Sequence, residues 1–157
     1  MSRALTAGLL ALTMVSSACA GRSTPAVSSS NEALTSAAVT FTTLDDGKDA
    51  KSAVTVQLLR NTNELAAEAL ASGTEYDDGS TTPPLVMSVR GPFERKDTGA
   101  AQLRLRLAPD GDDTWTFNVG LTLRFADESQ RNYGWSSIRL DEKSPERTLV
   151  LANAQTP

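Results

Sequence analysis

The chain of 157 residues carries 15 lysines and arginines against 19 aspartates and glutamates, a formal net charge of −4, with no histidine and a single cysteine. The acidic balance argues against nucleic-acid partners, which are gripped by lysines and arginines that release counterions. Without histidine the commonest general base, the usual transition-metal ligand and every imidazole-dependent triad are missing, and one cysteine excludes a disulfide framework.

Residues 1–20 read as a bacterial signal peptide. Arg3 supplies a positive charge, residues 4–15 form an apolar run, and small residues follow at Ser16-Ser17-Ala18-Cys19-Ala20. The run is too short for a permanent span, which needs about 20 apolar residues. Two cleavage chemistries fit: lipoprotein processing before Cys19, or ordinary signal peptidase acting after Ala20. Because Cys19 has no partner in the chain, and an unpaired thiol in an oxidising compartment is a liability, lipidation is the favoured reading. A membrane-anchored envelope lipoprotein is therefore expected, or a secreted or periplasmic protein if Cys19 leaves with the signal. Removing Arg3 leaves fourteen basic against nineteen acidic residues.

Residues 21–36, rich in Ser, Thr, Ala and Pro without apolar periodicity, are expected to form a flexible linker. From there a single domain is expected over 37–152, where the dominant period is two. Alternation marks strands at 38–43, 54–58, 85–89, 103–107, 114–125, 136–140 and 147–151, the clearest running through Trp115, Phe117, Val119, Leu121, Leu123 and Phe125. Residues 63–70 have helix-forming composition and read either as a short strand or as a helical turn. Seven to eight strands with one apolar face each predict an all-β fold, an antiparallel β-sandwich, and Asp46-Gly47, Asp78-Gly79 and Pro109-Asp110-Gly111 supply turns.

Asp45, Asp46 and Asp49 follow the first strand, Asp77 and Asp78 lie in the middle connection, and Asp110, Asp112 and Asp113 precede the long strand. If the chain runs up and down, with 65–70 as one traverse, all three clusters reach one rim, with Lys48 and Lys51 as the nearby positive charges. Crowded carboxylates invite a neutralising cation. Calcium, taking six to eight oxygens, is the candidate cofactor, with Asp45, Asp46, Asp49, Asp110, Asp112 and Asp113 as candidate metal ligands. The spacing is not that of an EF-hand, and plain turn chemistry is the competing explanation. Trp115 is expected in the core, while Tyr133 and Trp135, placed in a loop, form a candidate ligand platform. Glu64 and Glu68 read as a solvated pair, and motifs for a serine nucleophile or a phosphate loop are missing.

The stretch Phe41-Thr42-Thr43-Leu44-Asp45-Asp46-Gly47-Lys48-Asp49, with Asp113-Thr114-Trp115-Thr116-Phe117 and Ile138-Arg139-Leu140-Asp141, resembles an uncharacterised group of bacterial exported domains. Their pattern is an aspartate-rich loop containing Lys-Asp and a strand beginning Asp-x-Trp-x-Phe. More distantly the layout is similar to C2 and PLAT domains, which implies a β-sandwich whose end loops bind calcium and membrane or protein surfaces. The group usually has a third acidic residue where Leu44 or Gly47 stands here, a departure that weakens the calcium implication. The leading expectation is a non-catalytic binding or structural module on the cell envelope, calcium-dependent if the rim holds metal. Its partners would be the membrane, through the lipid, and a protein or glycan. A carbohydrate-recognition module is the alternative, and a glycosidase-like enzyme using paired carboxylates is the third. Acyl-chain precursor should label the wild type and not Cys19→Ser. An unlabelled mature protein beginning at Gly21 would show that ordinary signal peptidase acts instead.

Overall fold

The computed structural model describes residues 31–61 and 63–155, so the signal peptide, Cys19 and most of the expected linker lie outside the described residues. Eight antiparallel strands follow in chain order: β1 (Leu34–Asp45), β2 (Ala53–Arg60), β3 (Glu64–Ala71), β4 (Leu85–Val89), β5 (Gln102–Ala108), β6 (Trp115–Phe125), β7 (Gln130–Leu140) and β8 (Glu146–Val150). They form one sheet in the order β7-β6-β1-β4-β3-β2-β5-β8. The fold is all-β and barrel-like, because β4 turns the corner between two layers. Its Leu85, Val86 and Met87 pair with β1, whereas Ser88 and Val89 pair with β3. Both layers point their alternate residues into one core, including Phe41, Val56, Leu105, Phe117 and Leu121. Each such side chain contributes roughly 1.5–3 kcal/mol by leaving water.

The sequence pattern is followed most closely where both neighbours are present. In β6 every second residue from Trp115 to Phe125 is buried, and β5 buries Leu103, Leu105 and Leu107 between outward polar residues. Residues 64–71 form a strand, which resolves the ambiguity against the helical turn. Pairing on both sides, with β2 and β4, outweighs helix preferences of a few tenths of a kcal/mol per residue. A bulge opposite Leu58 and Leu59 places the neighbours Ala66 and Ala67 both inside, which is why no clean alternation is visible there.

Three boundaries differ from expectation. The domain starts before residue 37, because Leu34 is buried and its N–H donates to the Phe93 carbonyl at 2.8 Å. It also runs past 152, since Gln155 exchanges backbone hydrogen bonds with Gly134 at 3.0 and 2.9 Å. Finally, residues 130–135 belong to β7 and not to a loop. A bulge at Ser137, in left-handed conformation with φ 57°, breaks the period. Its N–H donates to Asn118 Oδ1 at 2.9 Å.

The β6–β7 turn is fixed by Asp127, which accepts from the Ser129 hydroxyl at 2.6 Å and the Ser129 N–H at 3.1 Å. It also pairs with Arg95. Foremost the Ser129 hydroxyl, then Arg95, lower its pKa from 3.8 to about 2. A carboxylate whose folded pKa is depressed contributes stability that is complete above its unfolded pKa and lost as pH falls through the folded one. Urea unfolding should therefore lose this contribution between pH 3.8 and about 2. Asp127→Asn should flatten that part of the profile, and an unchanged profile would contradict the assignment.

Candidate functional site

Because residues 64–71 are a full strand, the β1–β2, β3–β4 and β5–β6 loops all lie at one end of the barrel, with the β7–β8 turn beside them. Their aspartates do not converge on a common point. Instead the loops close around Lys48, whose side chain is fully buried. Its Nζ donates to the carbonyls of Asp49 at 2.9 Å, Ser52 at 2.7 Å and Thr74 at 2.6 Å. An ammonium has three protons to give, and all three are engaged. The charge also lies 5.0 Å from the centroid of the Tyr76 ring, within cation–π range.

Local sequence explains how a lysine reaches this position. Asp46 adopts the left-handed conformation, φ 53°, as aspartate tolerates, and turns the chain inward. At Gly47 a Cβ would come within 2.5 Å of the Tyr76 carbonyl oxygen, so only glycine lets the two loops touch. Lys48 and Tyr76 then exchange backbone hydrogen bonds at 3.1 and 2.9 Å, a one-residue β-bridge that carries the lysine side chain inward. Beneath it Tyr76 packs on Trp115, with centroids 5.5 Å apart, and Trp115 on Phe117 at 3.9 Å. Trp115 is in the core as expected, and its Nε1 donates to Thr43 Oγ1 at 3.1 Å.

The six candidate metal ligands have separate positions. Asp113 is buried, and its carboxylate accepts from the Asp49 N–H at 3.4 Å. Asp110 pairs with Lys51 at 3.7 Å, and its N–H donates to Ser52 Oγ at 2.9 Å. Asp46 faces Arg139 at 3.5 Å, which also reaches Asp141 at 3.3 Å. Asp45, Asp49 and Asp112 are exposed. Among the described residues no group of three or more Asp, Glu, His or Cys is placed to hold a metal ion. Three carbonyl oxygens of the kind calcium favours are present, but they are taken by the Lys48 ammonium.

Burial pulls the Lys48 pKa below the ordinary lysine value, while Asp113 first, then Asp49 and Glu75, pull it back up. Burial likewise raises the Tyr76 phenol. In the sequence Lys48 reads only as nearby positive charge, and Ser52 and Tyr76 carry no signal of their role. Nothing in Asp-Gly-Lys-Asp distinguishes a buried lysine from a solvated one. The only trace is Gly47, whose need for close approach is invisible without its partner loop.

The aromatic pair has a different setting from the one expected. Tyr133 and Trp135 lie on β7, opposite Leu121 and Val119, so they share the inward face. Both are half-buried and pack against the core, with near-parallel rings 6.4 Å apart at 19°. The Trp135 Nε1 is buried without a hydrogen-bond partner among the described residues. Glu64 and Glu68 are ion-paired separately, with Arg60 and with Arg90. Comparison with protein-family models and with curated proteins found no match for this chain.

Replacing Lys48 with methionine leaves the buried Ser52 carbonyl and the part-buried Asp49 and Thr74 carbonyls without their donor, and hydrogen bonds to charged groups are worth about 1.5–3 kcal/mol each. Lys48→Met is therefore expected to cost on the order of 3 kcal/mol in urea unfolding, allowing for partial relaxation. Lys51→Met, which removes an exposed pair, should change stability by less than about 1 kcal/mol. Equal effects of the two substitutions would contradict the structural role of Lys48.

Proposed function

We propose that this protein is a non-catalytic binding or structural module, exported and held at the cell envelope through lipidated Cys19, with a loop end that is a fixed part of the fold. The observation that carries this reading is the Lys48 ammonium, which ties the β1–β2 loop to the β3–β4 loop through the carbonyls of Asp49, Ser52 and Thr74. The chemistry of the side chains supports it further. The chain has no histidine, Lys48 has no free lone pair in its bound state, and Glu64 and Glu68 are each neutralised by an arginine. The likeness to exported sandwiches with a Lys-Asp loop gains a physical sense in this reading, since the lysine and the loops it joins act as a unit.

A second reading, recognition of a saccharide, is favoured by the near-parallel rings of Tyr133 and Trp135 on an edge strand. Flat aromatic surfaces with a polar tip suit ligands that are apolar on one face and hydroxylated at the rim.

Calcium provides the direct test of the leading reading. The melting temperature of the full chain is expected to be the same in calcium and in chelator. A rise with calcium that is reversed by chelator and abolished by Asp49→Asn with Asp113→Asn would establish a calcium-dependent module and overturn the proposal that the chain fixes its loop end without metal.

A further inference from the structure

The sheet does not close completely. Between the edge strands β7 and β8 runs a seam, spanned at one point by the Gly134–Gln155 bridge. Beside that bridge lies a cleft of about 640 Å³, bounded by the 3-10 turn Arg95–Gly99, the start of β7 and the 3-10 turn Leu151–Asn153. This size falls within the range of small-molecule sites, about 300–1,000 Å³.

The lining is set apart by its charge. It contains Arg95 and Arg131 and no aspartate or glutamate, on a chain whose formal net charge is −4. Arg131, Tyr133 and Trp135 alternate along β7 opposite Leu123, Leu121 and Val119, so all three side chains leave the strand on the inward face, toward the seam. Arg131 is exposed and has no ion-pair partner among the described residues. Arg95 is anchored by Asp127 and lies over the Phe125 ring, and its Nε is buried with no hydrogen-bond partner among the described residues. Leu151 adds an apolar wall.

Guanidinium groups favour carboxylates because their planar fork matches two oxygens at once. A phenol ring beside them offers an apolar surface with a polar tip. From this combination we infer that the seam cleft binds a carboxylate-bearing saccharide of hexuronate size, with Arg131 as the principal anion contact, Arg95 as a positioned second cation and Tyr133 as the surface for the sugar ring. The inference rests on the saccharide reading given above and does not depend on whether the acidic rim holds metal.

Calorimetric titration of the full chain with glucuronate, glucose and inorganic phosphate tests it. Saturable binding is expected for glucuronate, at least about tenfold tighter than for glucose, because the charge-assisted contact is worth more than about 1.4 kcal/mol. Phosphate is expected to bind more weakly than glucuronate, since it lacks the ring. Arg131→Gln should weaken glucuronate binding about tenfold or more, with an unchanged melting temperature as expected for an exposed side chain. Absence of saturable glucuronate binding to the wild type, binding that Arg131→Gln leaves unaltered, or phosphate binding as tightly as glucuronate would each overturn the inference. Binding of glucose as tight as that of glucuronate would overturn it too, while leaving the broader saccharide reading standing.

Discussion

A single buried positive charge organises the loop end of this molecule. The Lys48 ammonium is out of water and bound to three carbonyls that come from two loops, Asp49 and Ser52 on one and Thr74 on the other. An isolated charge in that position would be prohibitive, since desolvation costs several kcal/mol even after relaxation. It is tolerated because every proton has an acceptor, because an aromatic face lies beside it, and because Asp113, Asp49 and Glu75 supply opposite charge nearby. The third loop joins through side chains. Asp113 receives the Asp49 N–H, and Ser52 receives the Asp110 N–H. Asp113, Asp110 and Asp46 thus have separate protein partners, and the loops meet around the lysine.

The rest of the fold follows from how eight amphipathic strands bury one face each. A flat sheet would leave that face in water, so the corner at β4 folds it over, with the first half of the strand serving one layer and the second half the other. Folding brings the two terminal edges, β7 and β8, toward each other, and the tail at Gln155 covers part of the exposed edge of β7. Closure stops short where the Arg95–Gly99 turn and the tail intervene. The polar, positively lined opening left there is a consequence of the same geometry that forms the core. The loop end and the seam are therefore separate parts of the molecule, one held together around the buried Lys48 and one presenting the exposed Arg131 beside the Arg95–Asp127 pair.

The sequence disclosed strands in proportion to how regularly they are buried. Alternation in β5 and β6 was plain because each has a neighbour on both sides and a single inward face. β3 was obscured by alanine and glutamate, whose helix preference only sheet pairing overrides, and by a bulge that turns Ala66 and Ala67 inward together. β7 was half hidden because the bulge at Ser137 shifts the phase, so Tyr133 and Trp135 read as a loop when they continue a strand. Counting traverses was enough to bring the aspartate loops to one end. It could not reveal that a lysine, and not a constellation of carboxylates, forms the centre of that end, because burial of Lys48 depends on contacts with Thr74 and Tyr76, more than twenty residues away. The cleft was illegible for the same reason: Arg95, Arg131 and Leu151 meet only once the sheet has curled.

The most direct measurement is nuclear magnetic resonance of the Lys48 side-chain ammonium. A buried ammonium with three carbonyl acceptors should give a distinct resonance whose protons exchange slowly with water, with contacts to the Thr74 and Ser52 segments. An ammonium that exchanges as fast as that of Lys51, with no contact to Thr74, would mean that the loops are not joined through Lys48 and would remove the basis of the account.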